Sequence, residues 1–199
     1  MKKVKTIELY GEEYCKRINA KEWRFTTIPP VMEVIYDYFK PESIIDVGCA
    51  NGIHLQAFRK LGCKKLLGIE GTGYWAPYIQ KLFGTPFLIA DMRASLPDLG
   101  KFDLVLCLEV LEHLEEKFAK RSAKNLTILG NTLCISACPI KDGFHHFNPQ
   151  PKEYWIEIFK IFNFNYCKDE SDYLMSIFKT MNCSGWFKND LKVFRKDEN

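Results

Sequence analysis

The sequence predicts an α/β fold with a doubly wound, mostly parallel sheet of seven strands and helices on both faces. Short apolar runs that are typical of buried strands alternate along the chain with amphipathic segments that are typical of helices. Strands separated by helices pair in parallel through right-handed crossovers. The closing helix and strand break this alternation and indicate one antiparallel insertion at an edge of the sheet.

The elements follow one another in a regular order. A helix over 29–40 is favoured because its two prolines stand at the start, where a missing N–H does little harm. The predicted strands are 43–47, 65–69, 86–90, 102–108, 132–137, 163–168 and 191–195. The predicted helices are 8–22, 29–40, 52–61, 74–83, 114–127, 151–161 and 170–181. We expect a single domain over 1–199, with 1–27 as a helical cap and 28–199 as the core.

Composition excludes several classes of protein. The chain has 199 residues, of which 47% are hydrophobic and 27% charged, so it is not a disordered tail, a collagen-like chain or a coiled-coil rod. A net charge of +3 is far below the excess expected of a protein held on duplex nucleic acid, so no duplex partner is expected. Without a signal-like or membrane-spanning segment, and with cysteines inside apolar runs, the chain is expected to be cytoplasmic, with reduced thiols.

Glycines and acidic residues follow the first three core strands. In a doubly wound sheet a ligand lies outside the carboxyl ends of the strands. Gly48 and Gly52 flank the first strand-to-helix turn and permit close approach of a ligand to the backbone. Glu70 ends the second strand, where a carboxylate can accept hydrogen bonds from ribose hydroxyls. Asp91 ends the third strand, where it can accept one from an adenine amino group, so the pattern predicts a nucleoside site.

Four segments resemble the successive motifs of class I S-adenosylmethionine-dependent methyltransferases. They are IIDVGCANG, IEGTG, ADMRASLP and FDLVLCLEVLEHL, and the resemblance covers about residues 43–137. It implies a Rossmann-like sheet and S-adenosylmethionine as cofactor. The donor-binding residues that it implies are Asp46, Gly48, Cys49, Ala50, Gly52, Glu70, Gly71, Asp91, Met92, Leu108 and Glu109.

Each of these positions has an implied role. Asp46 and the two turn glycines shape the methionine end, Glu70 holds the ribose, and Asp91 with Met92 frames the adenine. Ala50 departs from the family, which often has glycine at this position. We expect this difference to alter donor binding slightly at most. The turn has G-x-x-x-G rather than the G-x-G-x-x-G of dinucleotide enzymes, and a P-loop G-K-[ST] is absent.

The segment Glu109–His113 resembles the E-V-L-E-H segment of methyltransferases that act on small molecules. If a helix begins near Glu109, Glu109 and His113 share a face. Three interpretations stay open: a helix-start acid with a half-buried histidine, contact with the acceptor, or a divalent metal site. The metal site is suggested by a resemblance to the RNA 3′-terminal 2′-O-methyltransferases. Its ligands would be Glu109, Glu112, His113 and His146, and such a mixed set of nitrogen and oxygen ligands suits manganese or zinc.

The loop after the fifth strand is dense in polar groups. It resembles the H-x-N-x-Q-P-x-E-Y-W segment of phage and bacterial methyltransferase-domain proteins of types 11 and 23. The predicted substrate-binding residues are His145, Asn148, Gln150 and Trp155. His146 is the first candidate for a catalytic base and His113 the second, because histidine titrates near neutrality.

The sequence thus predicts methyl transfer to an oxygen or nitrogen of a small-molecule or glycan-like acceptor by in-line displacement. Two alternatives stay open. One is a metal-assisted RNA-end 2′-O-methyltransferase, and the other is a non-catalytic subunit that binds S-adenosylmethionine. The N-terminal segment is expected to act as a lid, and the oligomeric state is not predicted.

Overall fold

The structure is a computed structural model, and it describes residues 10–82, 86–141 and 143–197. The beginning of the predicted helix 8–22 and residue 83 of the helix 74–83 lie outside the described residues. The strands are β1 (Ser43–Val47), β2 (Lys65–Glu70), β3 (Phe87–Ile89), β4 (Leu104–Leu108), β5 (Thr132–Ser136), β6 (Phe164–Tyr166) and β7 (Lys192–Lys196). The helices are α1 (Glu12–Asn19), α2 (Trp23–Phe39), α3 (Ile53–Lys60), α4 (Ala76–Leu82), α5 (Ala119–Leu129), α6 (Lys152–Lys160), α7 (Lys168–Lys179) and α8 (Gly185–Asn189).

The strands form one sheet in the order β3-β2-β1-β4-β5-β7-β6. The first five pair in parallel, whereas β7 lies antiparallel between β5 and β6. The predicted fold class is therefore confirmed, including the antiparallel insertion. Asp46 of β1 lies opposite Gly68 of β2 and Leu106 of β4, so the carboxyl ends of these strands reach the same edge.

Two hydrophobic cores cover the two faces of the sheet. Successive residues of a strand point to opposite faces, and Ile44 and Ile45 accordingly belong to different cores. Helices α1–α4, α7 and α8 contribute buried residues to the first core, and α5 and α6 to the second. This two-sided burial explains why the central strands are almost wholly apolar.

The prediction that a helix begins at the prolines is wrong. Helix α2 begins at Trp23, so Pro29 and Pro30 lie inside it, and it runs across the predicted boundary between cap and core. The carbonyls that lose their N–H partners belong to Phe25 and Thr26, which are exposed. The missing bonds therefore fall in the solvent-facing first turns, where they cost least.

The segment after β4 also differs from its prediction. No α-helix begins near Glu109; a 3-10 turn covers Leu111–His113, a second covers Glu116–Phe118, and α5 follows from Ala119. Glu109 has a left-handed backbone with φ 58°. The expectation that Glu109 and His113 share one helical face is therefore wrong.

All eight cysteines are free thiols. Among the described residues, no helix is both long enough and apolar enough to cross a bilayer.

Candidate active site

The turn between β1 and α3 has a strongly constrained backbone. Gly48, Ala50 and Gly52 have φ values of 79°, 47° and 80°. A Cβ atom at Gly48 would lie 2.3 Å from Cγ2 of Val110, so glycine is needed there for space as well as for conformation. Ala50 shows that the position next to these glycines is also left-handed, although alanine occupies it.

Glu70 ties the end of β2 to this turn. Its Oε2 accepts a hydrogen bond from the backbone N–H of Ala50 at 3.0 Å, and its Oε1 accepts one from Gly71 at 2.8 Å. Burial raises the pKa of Glu70 to about 7, even though the amides of Ala50, Gly71 and Thr72 act in the opposite direction. The carboxylate is therefore oriented by backbone groups at the place where the sequence predicts the ribose.

Asp91 and Met92 follow β3. The Arg93 guanidinium donates to both carboxylate oxygens of Asp91, with Nη2 at 2.7 Å from Oδ2. Burial alone would raise the pKa of Asp91, but these hydrogen bonds outweigh it and hold the pKa below its usual value. Met92 is buried, and Asn125 Nδ2 donates to its carbonyl oxygen at 3.0 Å.

Asp46 forms a buried pair with His54, a residue that the sequence prediction missed. Asp46 Oδ2 lies 3.0 Å from His54 Nδ1. Nε2 of His54 is buried and has no hydrogen-bond partner among the described residues, while the side chain lines the neighbouring cavity. The spacing of eight residues gave no indication of this pair, because it depends on how β1 packs against α3.

A cavity of about 530 Å³ lies at the carboxyl edge of the sheet. Its size is within the range usual for small-molecule sites. Nine of the predicted site residues line it: Gly48, Ala50, Glu70, Gly71, Asp91, Met92, Leu108, Glu109 and His113. Three other predicted donor residues, Asp46, Cys49 and Gly52, are buried and do not belong to the lining.

Glu109 lines the cavity at the end of β4. Its Oε1 is buried without a hydrogen-bond partner among the described residues. Burial raises its pKa to about 7; nearby Asp190 acts in the same direction, whereas Ser136 and Lys192 oppose the rise. Lys192 is itself buried and donates to Asp190 Oδ1 at 2.6 Å, so its charge is largely neutralised by that pair.

Glu112, His113 and His146 form a compact cluster beside Glu109. One ligand atom of each lies within 4.8 Å of the others. The buried carboxylate of Glu112 has no hydrogen-bond partner within the described residues. Burial and the charge of Glu109 raise the pKa of Glu112 well above its usual value. Burial lowers the pKa of His113 to about 4, so this imidazole is neutral at physiological pH.

The structure separates the loop histidines from the cavity wall. The lining includes His113 but none of the predicted loop residues, which are His145, His146, Asn148, Gln150 and Trp155. Asn148 and Trp155 are each only 1% exposed, so an acceptor in the cavity does not reach them in this conformation. Trp155 packs into the second core, and the backbone N–H of Asn148 donates to the carbonyl oxygen of Glu112 at 2.9 Å, contacts that the sequence pattern did not reveal.

Aromatic side chains from the N-terminal segment complete the cavity. Tyr10 and Tyr14 of this segment line it, together with Trp75 from the turn after β2. Tyr14 stacks on Phe144 with ring centroids 5.3 Å apart, and Tyr10 lies edge-on to His113 at 5.6 Å. The N-terminal segment therefore contacts both the wall and the loop after β5; its action as a lid stays a prediction.

Comparisons with known proteins agree with this architecture. Residues 45–131 match a family model described as a methyltransferase domain. The tRNA U34 carboxymethyltransferase of Aliivibrio salmonicida (strain LFI1238) is 26% identical in an alignment 168 residues long that covers 78% of this chain and 49% of that protein. The chain thus spans about half the length of this curated relative.

Two solved structures show the same fold at low sequence identity. The sugar N-methyltransferase KedS8 from Streptoalloteichus sp. ATCC 53650 is 17% identical, with a TM-score of 0.68 and 93% coverage of both chains. CalS10 from Micromonospora echinaspora, an amino pentose methyltransferase solved with S-adenosylmethionine, is 14% identical, with a TM-score of 0.64 and coverage of 93% and 96%.

These matches confirm the resemblance found in the sequence. Residues 45–131 match a methyltransferase domain, and such a domain implies S-adenosylmethionine as cofactor. The lining of the cavity fits that molecule, because it combines acidic residues at the ends of β2 and β3 with a turn that allows close approach at Gly48.

Proposed function

We propose that the chain transfers a methyl group to a hydroxyl or amino group of a small polar acceptor, such as a sugar. The observation that carries this proposal is the continuity of one cavity. It runs from the strand-end acids Glu70 and Asp91 to Glu109 and His113. A donor bound at Glu70 and Asp91 would leave room beside Glu109 and His113 for an acceptor of limited size.

The acceptor side of the cavity is suited to hydrogen-bond donors. Glu109 and His113 offer acceptor atoms, and aromatic rings of Tyr10, Trp75 and Trp186 form part of the surrounding wall. Aromatic faces pack against apolar ring surfaces, while carboxylates accept hydrogen bonds from hydroxyl or amino groups. A sugar or amino sugar combines both features, which supports the proposed class of acceptor.

Glu109 is the group best placed to accept the proton that the acceptor loses. S-adenosylmethionine supplies an electrophilic methyl group on a positively charged sulfur. The residues of the chain then orient the acceptor, exclude water and receive its proton. A base with a pKa near the working pH is the most effective, and Glu109 lines the cavity with a pKa of about 7. We therefore assign the base role to Glu109 in place of His146, which the cavity lining does not include.

Methyl transfer from labelled S-adenosylmethionine tests the proposal. The full chain is incubated with separate pools of sugars, amino sugars, other small metabolites and single-stranded RNA ends. We expect labelled product from a sugar or amino-sugar pool, and loss of that product with Glu109→Gln. Binding of S-adenosylhomocysteine without transfer to any pool would favour the non-catalytic subunit, and transfer only to RNA would overturn the small-acceptor proposal.

A second candidate function is metal-assisted methylation of an RNA end, and the cluster of Glu112, His113 and His146 favours it. The Nδ1 atoms of His113 and His146 lie 3.1 and 2.7 Å from the carbonyl oxygens of His145 and Ile140. These bonds place the proton on Nδ1 and leave each Nε2 free as a metal ligand. The name of the Aliivibrio salmonicida relative adds an RNA substrate as an independent reason to test this candidate.

Manganese and zinc binding distinguish the two candidates. In the metal-assisted case, wild-type protein binds Mn²⁺ or Zn²⁺ in calorimetry, and Glu112→Gln and His146→Ala each lose that binding. His145→Ala is the matched control, because His145 lies outside the cluster and keeps its backbone carbonyl after substitution. Metal-independent transfer with no cation binding excludes this second candidate.

A further inference from the structure

Arg24 is a half-buried cation on the cavity wall. It lies in the first turn of α2 and lines the cavity. In the part of the chain that the structure describes, its guanidinium makes no hydrogen bond and no ion pair. A charged group that gives up part of its hydration without a protein partner is costly, unless a ligand completes its interactions.

The other cations of the wall differ from Arg24. Arg93 is held by Asp91 at 2.7 Å and lies near Glu115 at 3.6 Å. Lys21 is exposed to solvent. Arg24 is therefore the partly buried cation of the described wall that has donors available for an anion.

Arg24 interacts electrostatically with Asp46, a residue of β1. Burial lowers its pKa, and the charges of Tyr14 and Asp46 oppose that shift. Asp46 belongs to β1, whose carboxyl end leads into the glycine turn that begins at Gly48. Arg24 therefore interacts with the β1 end of the site, where the methionine moiety of the donor is expected.

We infer that Arg24 binds the α-carboxylate of the methionine moiety of the donor. The carboxylate is the one negatively charged group of S-adenosylmethionine, and a planar guanidinium can donate two parallel hydrogen bonds to it. This inference rests on the proposed function, because it requires the donor to occupy the cavity. Arg24 would contact the donor but not the reacting atoms, so it acts in binding and orientation.

Calorimetry with two ligands tests the inference. S-adenosylhomocysteine carries the carboxylate, and its decarboxylated analogue differs by that group alone. We expect Arg24→Gln to weaken binding of S-adenosylhomocysteine by about 10- to 100-fold, as for loss of a hydrogen-bonded charge, and to leave the analogue within about 2-fold. The affinity of Arg24→Lys for S-adenosylhomocysteine should lie between those of the wild type and Arg24→Gln, since lysine keeps the charge but lacks the planar pair of donors. Arg59→Gln, an exposed position on α3 outside the lining, is the control.

Each outcome of this experiment either supports or overturns the inference about Arg24. Equal affinity of wild type and Arg24→Gln for S-adenosylhomocysteine overturns the inference, and so does an equal loss for both ligands. If Arg24→Gln does not fold, Arg24→Lys decides, because it should reduce the preference of the wild type for S-adenosylhomocysteine over the decarboxylated analogue, and an unchanged preference overturns the inference. Wild-type protein that binds neither ligand would instead refute the donor site itself, and with it the proposed function.

Discussion

The carboxylate of Glu70 lies 3.0 Å from the backbone nitrogen of Ala50, so the end of β2 is hydrogen-bonded to the turn that follows β1. The two residues are 20 positions apart, and the parallel pairing of β1 with β2 brings them together. This bond connects the place expected for the ribose with the place expected for the methionine moiety. Substitution of Glu70 should therefore affect both parts of the donor site, since Ala50 contributes only its backbone N–H.

Glu70→Gln is expected to weaken binding of S-adenosylhomocysteine by about 10- to 100-fold, because the ionised carboxylate is the stronger acceptor for ribose hydroxyls. With a pKa of about 7, Glu70 is mostly protonated at pH 6 and mostly ionised at pH 8. Affinity of the wild type should therefore rise with pH over this range, and the rise should be smaller in Glu70→Gln. Calorimetry at several pH values measures the affinity of the wild type and of Glu70→Gln. Glu33→Gln, a substitution of an exposed residue, is the control.

Gly48→Ala should destabilise the fold by about 2 kcal/mol or more. The new Cβ would combine the cost of a left-handed backbone with a clash against Val110 at 2.3 Å. Urea unfolding measures the change. Gly185→Ala is the matched control, because its backbone is not left-handed and no atom lies within 4 Å of the added Cβ. A Gly48 variant as stable as wild type would show that Val110 moves aside freely.

Glu109→Gln is expected to reduce kcat by about 100-fold or more while S-adenosylhomocysteine affinity changes little. A carboxylate that accepts a proton must be ionised, so the rate of the wild type should rise through pH 7 and then level off. The variant should lose that rise. Steady-state kinetics across pH 5.5–9 with the identified acceptor gives the profile.

His146→Ala provides the comparison for that experiment. If Glu109 is the base, this variant keeps the pH profile of the wild type and most of its turnover. A loss of turnover in His146→Ala that equals the loss in Glu109→Gln would return the base role to His146 or point to the metal-assisted candidate. Addition of Mn²⁺ distinguishes these two explanations, because only the metal-assisted candidate predicts that the cation affects turnover.

Glu112→Gln should make the stability of the protein less dependent on pH. The folded-state pKa of Glu112 lies well above its unfolded value, so the folded state binds a proton that the unfolded state releases. The free energy of unfolding therefore falls as pH rises above about 4.5, by about 1 kcal/mol per pH unit for such a group. Urea titrations at pH 5, 6 and 7 should show a shallower slope in Glu112→Gln, and an unchanged slope contradicts the prediction.

Local sequence patterns determined the fold class, the glycine turn and the acids that follow the strands. Alternation in a strand, a glycine-flanked turn and a strand-end carboxylate each involve a few neighbouring residues, so the chain carries these signals directly. The same patterns placed the start of α2 at the prolines, because propensity favours proline in a first turn. Burial of Ile28 and Val31 in the first core outweighed that preference.

Only the tertiary structure decided which polar side chains reach the cavity. His113 and His145 are 32 positions apart, and their contact depends on how two loops fold over one end of the sheet. The sequence shows that Asn148 and Arg24 are polar, but not that packing buries the first and leaves the second on the cavity wall, with no partner for its guanidinium among the described residues. Burial and distance between remote segments are properties of the packed chain, and they set which of these groups a ligand can reach.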